Sequence, residues 1–216
     1  MLLAIDTSAG SSVAVVDRDA GVIAEFDSGD SMRHAEVIGD LIARALDAAS
    51  VRPLDLSGVV AGMGPGPFTG LRVGIAAART FAFGIGRPLI PVVSHDAVAA
   101  EAFVSELYTA DEHRPGGPRG ILVVTDARRR ELYWSAYSGL DEVGLPVRQD
   151  GPALAKPDAV AHDDLFRVDA TSVSAGRLGM IAEVAFAAGR PFAADEALYL
   201  RSPDVTLSAG PKRVSA

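Results

Sequence analysis

The run Gly62-Met63-Gly64-Pro65-Gly66-Pro67-Phe68-Thr69-Gly70-Leu71-Arg72 restricts the fold more than any other stretch of the chain. Before it, Ser57 to Ala61 is short and β-branched enough for a buried strand; after it, Val73 to Gly84 is alanine-rich and long enough for a helix. A strand enters and a helix leaves. The glycines and prolines between them allow unusual backbone angles and close approach to a neighbour, and Thr69 is placed to cap the helix.

That helix is apolar on nearly every side. Leu71, Val73, Gly74, Ile75, Ala76, Ala77, Ala78, Phe81, Ala82 and Phe83 are set against only Arg72, Arg79 and Thr80. Packing on a sheet needs one apolar stripe, so a second protein is expected to cover the other face.

The 216 residues suit one large domain or two small ones. Arg72 and Arg79 interrupt the best apolar stretch, so no membrane span is expected. The start Met1-Leu2-Leu3-Ala4-Ile5-Asp6 shows no basic leader, and without cysteine there is no disulfide, thiol nucleophile or cysteine metal site; a cytoplasmic protein is expected. A formal net charge of −8 argues against gripping a nucleic acid alone. Arg128-Arg129-Arg130, the one dense basic cluster, reads either as a solvated hairpin turn or as an RNA contact.

Along the chain, strands are expected at Leu2 to Ile5, Ser12 to Val16 and Gly21 to Asp27. An amphipathic helix follows from Arg33 to Ala49, with Val37, Ile38, Leu41, Ile42, Ala45 and Leu46 on one face. After the glycine loop and second helix come a strand at Pro88 to Val93 and a third helix from Asp96 to Leu107. This order predicts an α/β fold with a mixed sheet and packed helices. The break at Tyr108 to Gly120 divides the chain into residues 1–107 and a smaller unit, 108–207, ahead of a frayed tail, 208–216. In the second half the pattern gives a hairpin of Ile121 to Thr125 with Glu131 to Tyr137, a short helix near Pro157 to Ala161, a strand at Leu165 to Val168 and a helix from Gly176 to Ala188.

Candidate chemistry is sparse. Asp6-Thr7-Ser8 suits either a phosphate-contacting turn, whose carboxylate would hold a metal-bound water, or an ordinary strand end. The glycine loop lacks the Gly-Lys-Ser/Thr of a P-loop and the spacing of a dinucleotide fingerprint; anion binding at its helix N-terminus and close packing against a neighbour both remain open. His34, His95, His113 and His162 are scattered, His34 is expected to serve as a cap or surface group, and no metal site is expected. No serine sits in a nucleophile elbow.

Leu3-Ala4-Ile5-Asp6-Thr7-Ser8, Arg33-His34, and Gly64-Pro65-Gly66-Pro67-Phe68-Thr69-Gly70-Leu71-Arg72-Val73-Gly74 together resemble the bacterial TsaB family, as do Asp126-Ala127-Arg128-Arg129-Arg130-Glu131-Leu132-Tyr133 and Leu198-Tyr199-Leu200-Arg201. The resemblance implies an actin/sugar-kinase/Hsp70-like (ASKHA) fold of two subdomains, each a mixed β-sheet with packed helices. It also implies a non-catalytic scaffold in making threonylcarbamoyladenosine beside the anticodon of tRNAs reading codons that start with A. Such a scaffold pairs with a catalytic paralogue, the TsaD-like transferase, with a TsaE-like ATPase joining them; ATP and metal belong to those partners, and tRNA is met only indirectly. Pairing is implied through the first two helices, for which Val37, Ile38, Leu41, Ile42, Leu71, Gly74, Ile75, Ala78, Phe81 and Ala82 are the candidate face, with a homodimer when the partner is absent.

In this resemblance Asp6, Thr7 and Ser8 are a vestigial phosphate turn, and Gly64, Gly66, Thr69 and Gly70 form the glycine loop. The transferase's metal-binding histidine pair falls at His95 and Ala99, so the second histidine is absent. Pro67 stands where the family usually has Ser, which removes a hydroxyl and an N–H where phosphate needs donors. The competing expectation from Asp6-Thr7-Ser8 is a stand-alone ATP-dependent small-molecule kinase or acyltransferase of the same fold.

Overall fold

Strand β1 (Leu2–Asp6) is buried along its whole length because it lies at the centre of a five-stranded sheet. The chain is seen here in a computed structural model that describes residues 1–28, 33–105, 120–162 and 164–201. Strands β2 (Ser11–Asp17) and β3 (Gly21–Ser28) extend the sheet antiparallel on one side, while β4 (Gly58–Gly62) and β5 (Leu89–Val92) extend it parallel on the other.

The period of two along these strands sends successive side chains to two different cores. Leu3, Ile5, Val13, Val15, Val59 and Ala61 face helices α1 (His34–Ala49) and α2 (Phe68–Ile85), and Leu41, Leu71, Ile75 and Ala78 fill that side. Leu2, Ala4, Ala14, Val16 and Val60 face helices α3 (Ser94–Phe103) and α4 (Ala175–Ala187). Although α4 belongs to the second half of the sequence, it packs on the first sheet, where Gly179 approaches Val16 and Ala4 too closely to admit a side chain.

A second sheet of four strands, in the order β8-β7-β6-β9, closes the far side of α3. It comprises β6 (Ile121–Asp126), β7 (Leu132–Leu140), β8 (Pro146–Ala155) and β9 (Phe166–Asp169), with β9 parallel to β6 and the other pairs antiparallel. Ile121, Val123 and Tyr137 join the core that contains α3 and α4. Among the described residues, no helix is long and apolar enough to cross a membrane.

Three sequence expectations are corrected. Strand β8 forms where the sequence offers no strand pattern. Helix α2 starts at Phe68, with Pro67 as its N-cap and no side-chain cap bond, so Thr69 sits inside the first turn instead of capping it. His34 is neither a cap nor a surface group: it is 7% exposed, and its Nδ1 lies 2.7 Å from the Ser11 hydroxyl. The end of the expected third helix, the break at 108–119, His113 and the tail 208–216 lie wholly or partly outside the described residues.

Candidate functional site: a locked strand-end turn and an outward helix face

The turn after β1 is held entirely by its own chain. Asp6 is 1% exposed; its Oδ1 accepts from the Ser8 N–H at 2.7 Å and the Ser8 hydroxyl at 2.6 Å, and its Oδ2 accepts from Ser94 Oγ at 2.5 Å. Burial raises the Asp6 carboxyl above its ordinary range, against the lowering effect of those hydrogen bonds. Ser94 Oγ also accepts from the Gly64 N–H at 3.0 Å, which ties the glycine loop to the same carboxylate. Thr7 Oγ1 donates to the Gly70 carbonyl at 2.7 Å and accepts from the Gly74 N–H at 3.1 Å, bridging two groups four residues apart in α2.

Glycines spaced four apart make this possible. A Cβ at Gly62 would stand 1.8 Å from Asp6 Oδ2, at Gly66 2.8 Å from Ser8 Cα, at Gly70 2.6 Å from the Thr7 carbonyl oxygen, and at Gly74 2.1 Å from Thr7 Oγ1. Gly64, at φ +94°, takes a backbone angle that side chains disfavour. Of the two roles open to the loop, close packing against a neighbour is the one seen, and the neighbour is Asp6-Thr7-Ser8 itself.

Beside this turn lies a cleft of about 400 Å³, lined in part by Ser8, Gly10, Thr69, Gly70, Asp126 and Arg128. Its far lip is the β6–β7 turn, in which Arg128, Arg129 and Arg130 all have positive φ, at 64°, 52° and 62°. Each such residue costs about 1 kcal/mol relative to glycine there. The turn is braced: Ala127 N–H donates to the Glu131 carbonyl at 3.0 Å, Arg201 donates to the Ala127 carbonyl at 3.0 Å, and Arg201 pairs with Glu131 at 2.9 Å. The segment carrying Arg201 also lays Tyr199 on Phe68, with ring centroids 4.7 Å apart, and Asp195 against Arg79 at 2.7 Å. These contacts give Leu198 to Arg201 a structural role that no local pattern in the segment carries.

His95 is fully buried between α3 and the second sheet, with Nδ1 2.8 Å from Ser135 Oγ and Nε2 2.9 Å from Thr125 Oγ1. Burial, helped by Arg148, holds its pKa down to about 3. The next residue, Asp96, accepts from Tyr137 at 2.7 Å and from Arg148 at 3.1 and 3.2 Å, so α3 is fastened to the second sheet by two adjacent polar side chains. Among the described residues, no three His, Cys, Asp or Glu side chains come together as metal ligands.

Native His95 stays neutral, while in the unfolded chain it takes a proton near pH 6.5; its contribution to stability is therefore complete above that pH and is lost as the pH falls toward 3. Asp6 and Asp96, whose carboxyls burial raises, act in the opposite sense. The comparison that isolates the histidine is His95→Gln. Below pH 6.5 the native protein should lose stability relative to this variant by about 1.4 kcal/mol per pH unit, read from urea melts; parallel curves would contradict a neutral buried His95.

The ten candidate interface residues separate into two groups. Ile38, Leu41, Leu71, Gly74, Ile75, Ala78 and Ala82 are buried in the chain's own core, whereas Val37, Ile42 and Phe81 are partly exposed. The outward surface of α2 is made by Ala76, Thr80, Gly84 and Phe83, the last 89% exposed. Between α1 and α2 runs an apolar groove of about 560 Å³ lined by Ile42, Ala76, Ala77, Thr80, Phe81 and Gly84, among others. Elsewhere on their surfaces α1 exposes Glu36, Asp40 and Asp47, with Asp40 3.5 Å from Arg44, while α2 exposes Arg72, stacked on Phe68, and Arg79, paired with Asp195.

Residues 13–162 match the family described as TsaD, tRNA N6-adenosine threonylcarbamoyltransferase. An uncharacterised protein of Mycobacterium tuberculosis is 37% identical over 212 residues, covering 94% of this chain and 92% of that one. The Escherichia coli tRNA threonylcarbamoyladenosine biosynthesis protein TsaB is 29% identical over 175 residues, or 81% of this chain and 70% of that one. The structure of YeaZ from Pseudomonas aeruginosa superposes with a TM-score of 0.70 at 24% identity, covering 87% of this chain and 92% of that one, which establishes the shared fold. The sheets, helices and cleft are thus those of an ASKHA-fold protein of the TsaD class. Within that class, the chain belongs to the TsaB family.

Proposed function

We propose that this chain serves tRNA threonylcarbamoyladenosine biosynthesis as a non-catalytic partner of a TsaD-like transferase, in a complex that a TsaE-like ATPase joins. The observation that carries this is the outward face of α1 and α2, an apolar groove lined by Ile42, Ala76, Ala77, Thr80 and Phe81. A paralogue of the same fold presenting its own α1 and α2 about a twofold axis sets a second such groove against this one, so that each covers the other's apolar surface. Two helices of this length, about 24 Å for 16 residues, support a face of about 800 Å² per partner. The same geometry permits a homodimer when the transferase is absent.

The internal locking of Asp6, Thr7 and Ser8 favours a scaffold over a stand-alone kinase or acyltransferase, because the groups that would meet phosphate and metal already hold the glycine loop and α2. A calorimetric titration with Mg-ATP separates the two. The scaffold gives no heat at millimolar nucleotide; micromolar binding, about −8 kcal/mol, would restore the kinase.

A further inference from the structure

We propose that the segment Asp195 to Arg201 is a clasp that transmits the seating of a protein partner on α2 to the β6–β7 turn at the lip of the cleft. The partner is the paralogous transferase, so that arm of the proposal rests on the function proposed above.

This short segment meets α2, the glycine loop and the cleft lip in succession. At its start, Asp195 accepts from the Arg79 guanidinium through its carboxylate at 2.7 Å and its carbonyl at 3.2 Å. Ala197 packs on the core beneath α2, and the Leu198 N–H donates at 2.8 Å to the carbonyl of Met63, a glycine-loop residue that is 1% exposed. Tyr199 lies against Phe68, the first residue of α2, over whose ring the Arg72 guanidinium also stands, 3.6 Å from the centroid. At its end, Arg201 holds the Ala127 carbonyl and Glu131, the residues that close the turn.

The turn gains from such a brace because Arg128, Arg129 and Arg130 hold a left-handed backbone that residues with side chains disfavour. The other end of the clasp is open to a partner. Between it and α2 runs a groove of about 790 Å³ lined in part by Ile75, Ala76, Arg79, Thr80, Glu196 and Tyr199. Ala76 and Thr80 also line the apolar groove against α1, so a protein that covers them borders on both grooves. Immobilising Glu196 and Tyr199 restricts Arg201, close behind them in the chain, and with it the turn.

The test is hydrogen exchange of the Ala127 and Glu131 amides, whose hydrogen bonds lie within the turn and report its opening. In the chain alone, Arg201→Gln should speed their exchange at least about tenfold, because a charged hydrogen bond and an ion pair are lost. Tyr199→Ala, whose ring lies on α2, should speed it about fivefold through the loss of one ring pair. Amides of β1 should keep their wild-type rates in both variants. Saturating transferase should slow exchange at the turn in the wild type, and Tyr199→Ala should lose that protection.

Turn amides indifferent to Tyr199→Ala would make Arg201 a local brace and overturn the clasp, as would a transferase that binds without slowing them. Exchange that rises equally in β1 would also overturn it, because the segment would then support the whole fold. A wild type that does not bind the transferase overturns the function proposed above, while the measurements on the chain alone still decide whether the segment ties α2 to the turn.

Discussion

Gly74→Ala is expected to destabilise the chain by about 3 kcal/mol, from overpacking together with a displaced buried hydroxyl. The added methyl would stand 2.1 Å from Thr7 Oγ1 and 3.0 Å from Thr7 Cβ. Thr7 must then move, and its hydroxyl gives up both the Gly70 carbonyl and the Gly74 N–H. Thr7→Ala alone should cost about 1 to 2 kcal/mol through those two bonds. In the double variant the clash with oxygen is gone, so its cost should fall short of the sum of the singles by at least about 1 kcal/mol. Urea melts of the four proteins measure this directly. Additivity within about 0.5 kcal/mol would show that Thr7 and Gly74 do not bear on each other.

The second large effect concerns pairing. Ala76→Glu with Thr80→Glu places two charges on the outward surface of α2, where both positions are exposed in the chain by itself. Stability should change by no more than about 0.5 kcal/mol per site, while affinity for the transferase falls at least about a hundredfold, because the charges must be desolvated in an apolar groove. Leu41→Glu or Ile75→Glu would not separate the two properties: these side chains are 2% and 4% exposed, and a charge there breaks the core. Sedimentation of each variant with the transferase, beside its own melting curve, distinguishes lost pairing from lost folding. A variant that pairs as tightly as the wild type would remove this face from the interface.

Much of the fold was legible because its elements obey simple periods. The strands β1, β2, β4 and β6 are compact apolar runs, and α1 shows its apolar stripe directly. Strand β8 was hidden because Pro146, Pro152, Gly151 and Arg148 imitate a loop; as the edge strand of its sheet it tolerates prolines that an inner strand would exclude.

The candidate site was legible in its residues but not in its contacts. An all-round apolar helix does not reveal which face the sheet takes. In α2 the bulky Leu71 and Ile75 turn inward, while small Ala76 and Gly84 stay outside, so large side chains mark the core face and not the outward one. The fourfold spacing of Gly62, Gly66, Gly70 and Gly74 was visible, but its cause is a partner more than fifty residues away, at Asp6 to Ser8. No local pattern carries that. The roles of His34 and Arg201 likewise depend on partners far along the chain, Ser11 in β2 for the one and the β6–β7 turn for the other.

The measurement that bears most directly on the account is threonylcarbamoyl transfer to tRNA by the paralogous transferase, assayed alone and with increasing amounts of this chain. A pairing scaffold predicts a rate that rises with the chain and saturates at one chain per transferase, with no ATP turnover by the chain itself. A transferase rate indifferent to the chain, or ATP consumed by the chain in the transferase's absence, would contradict it.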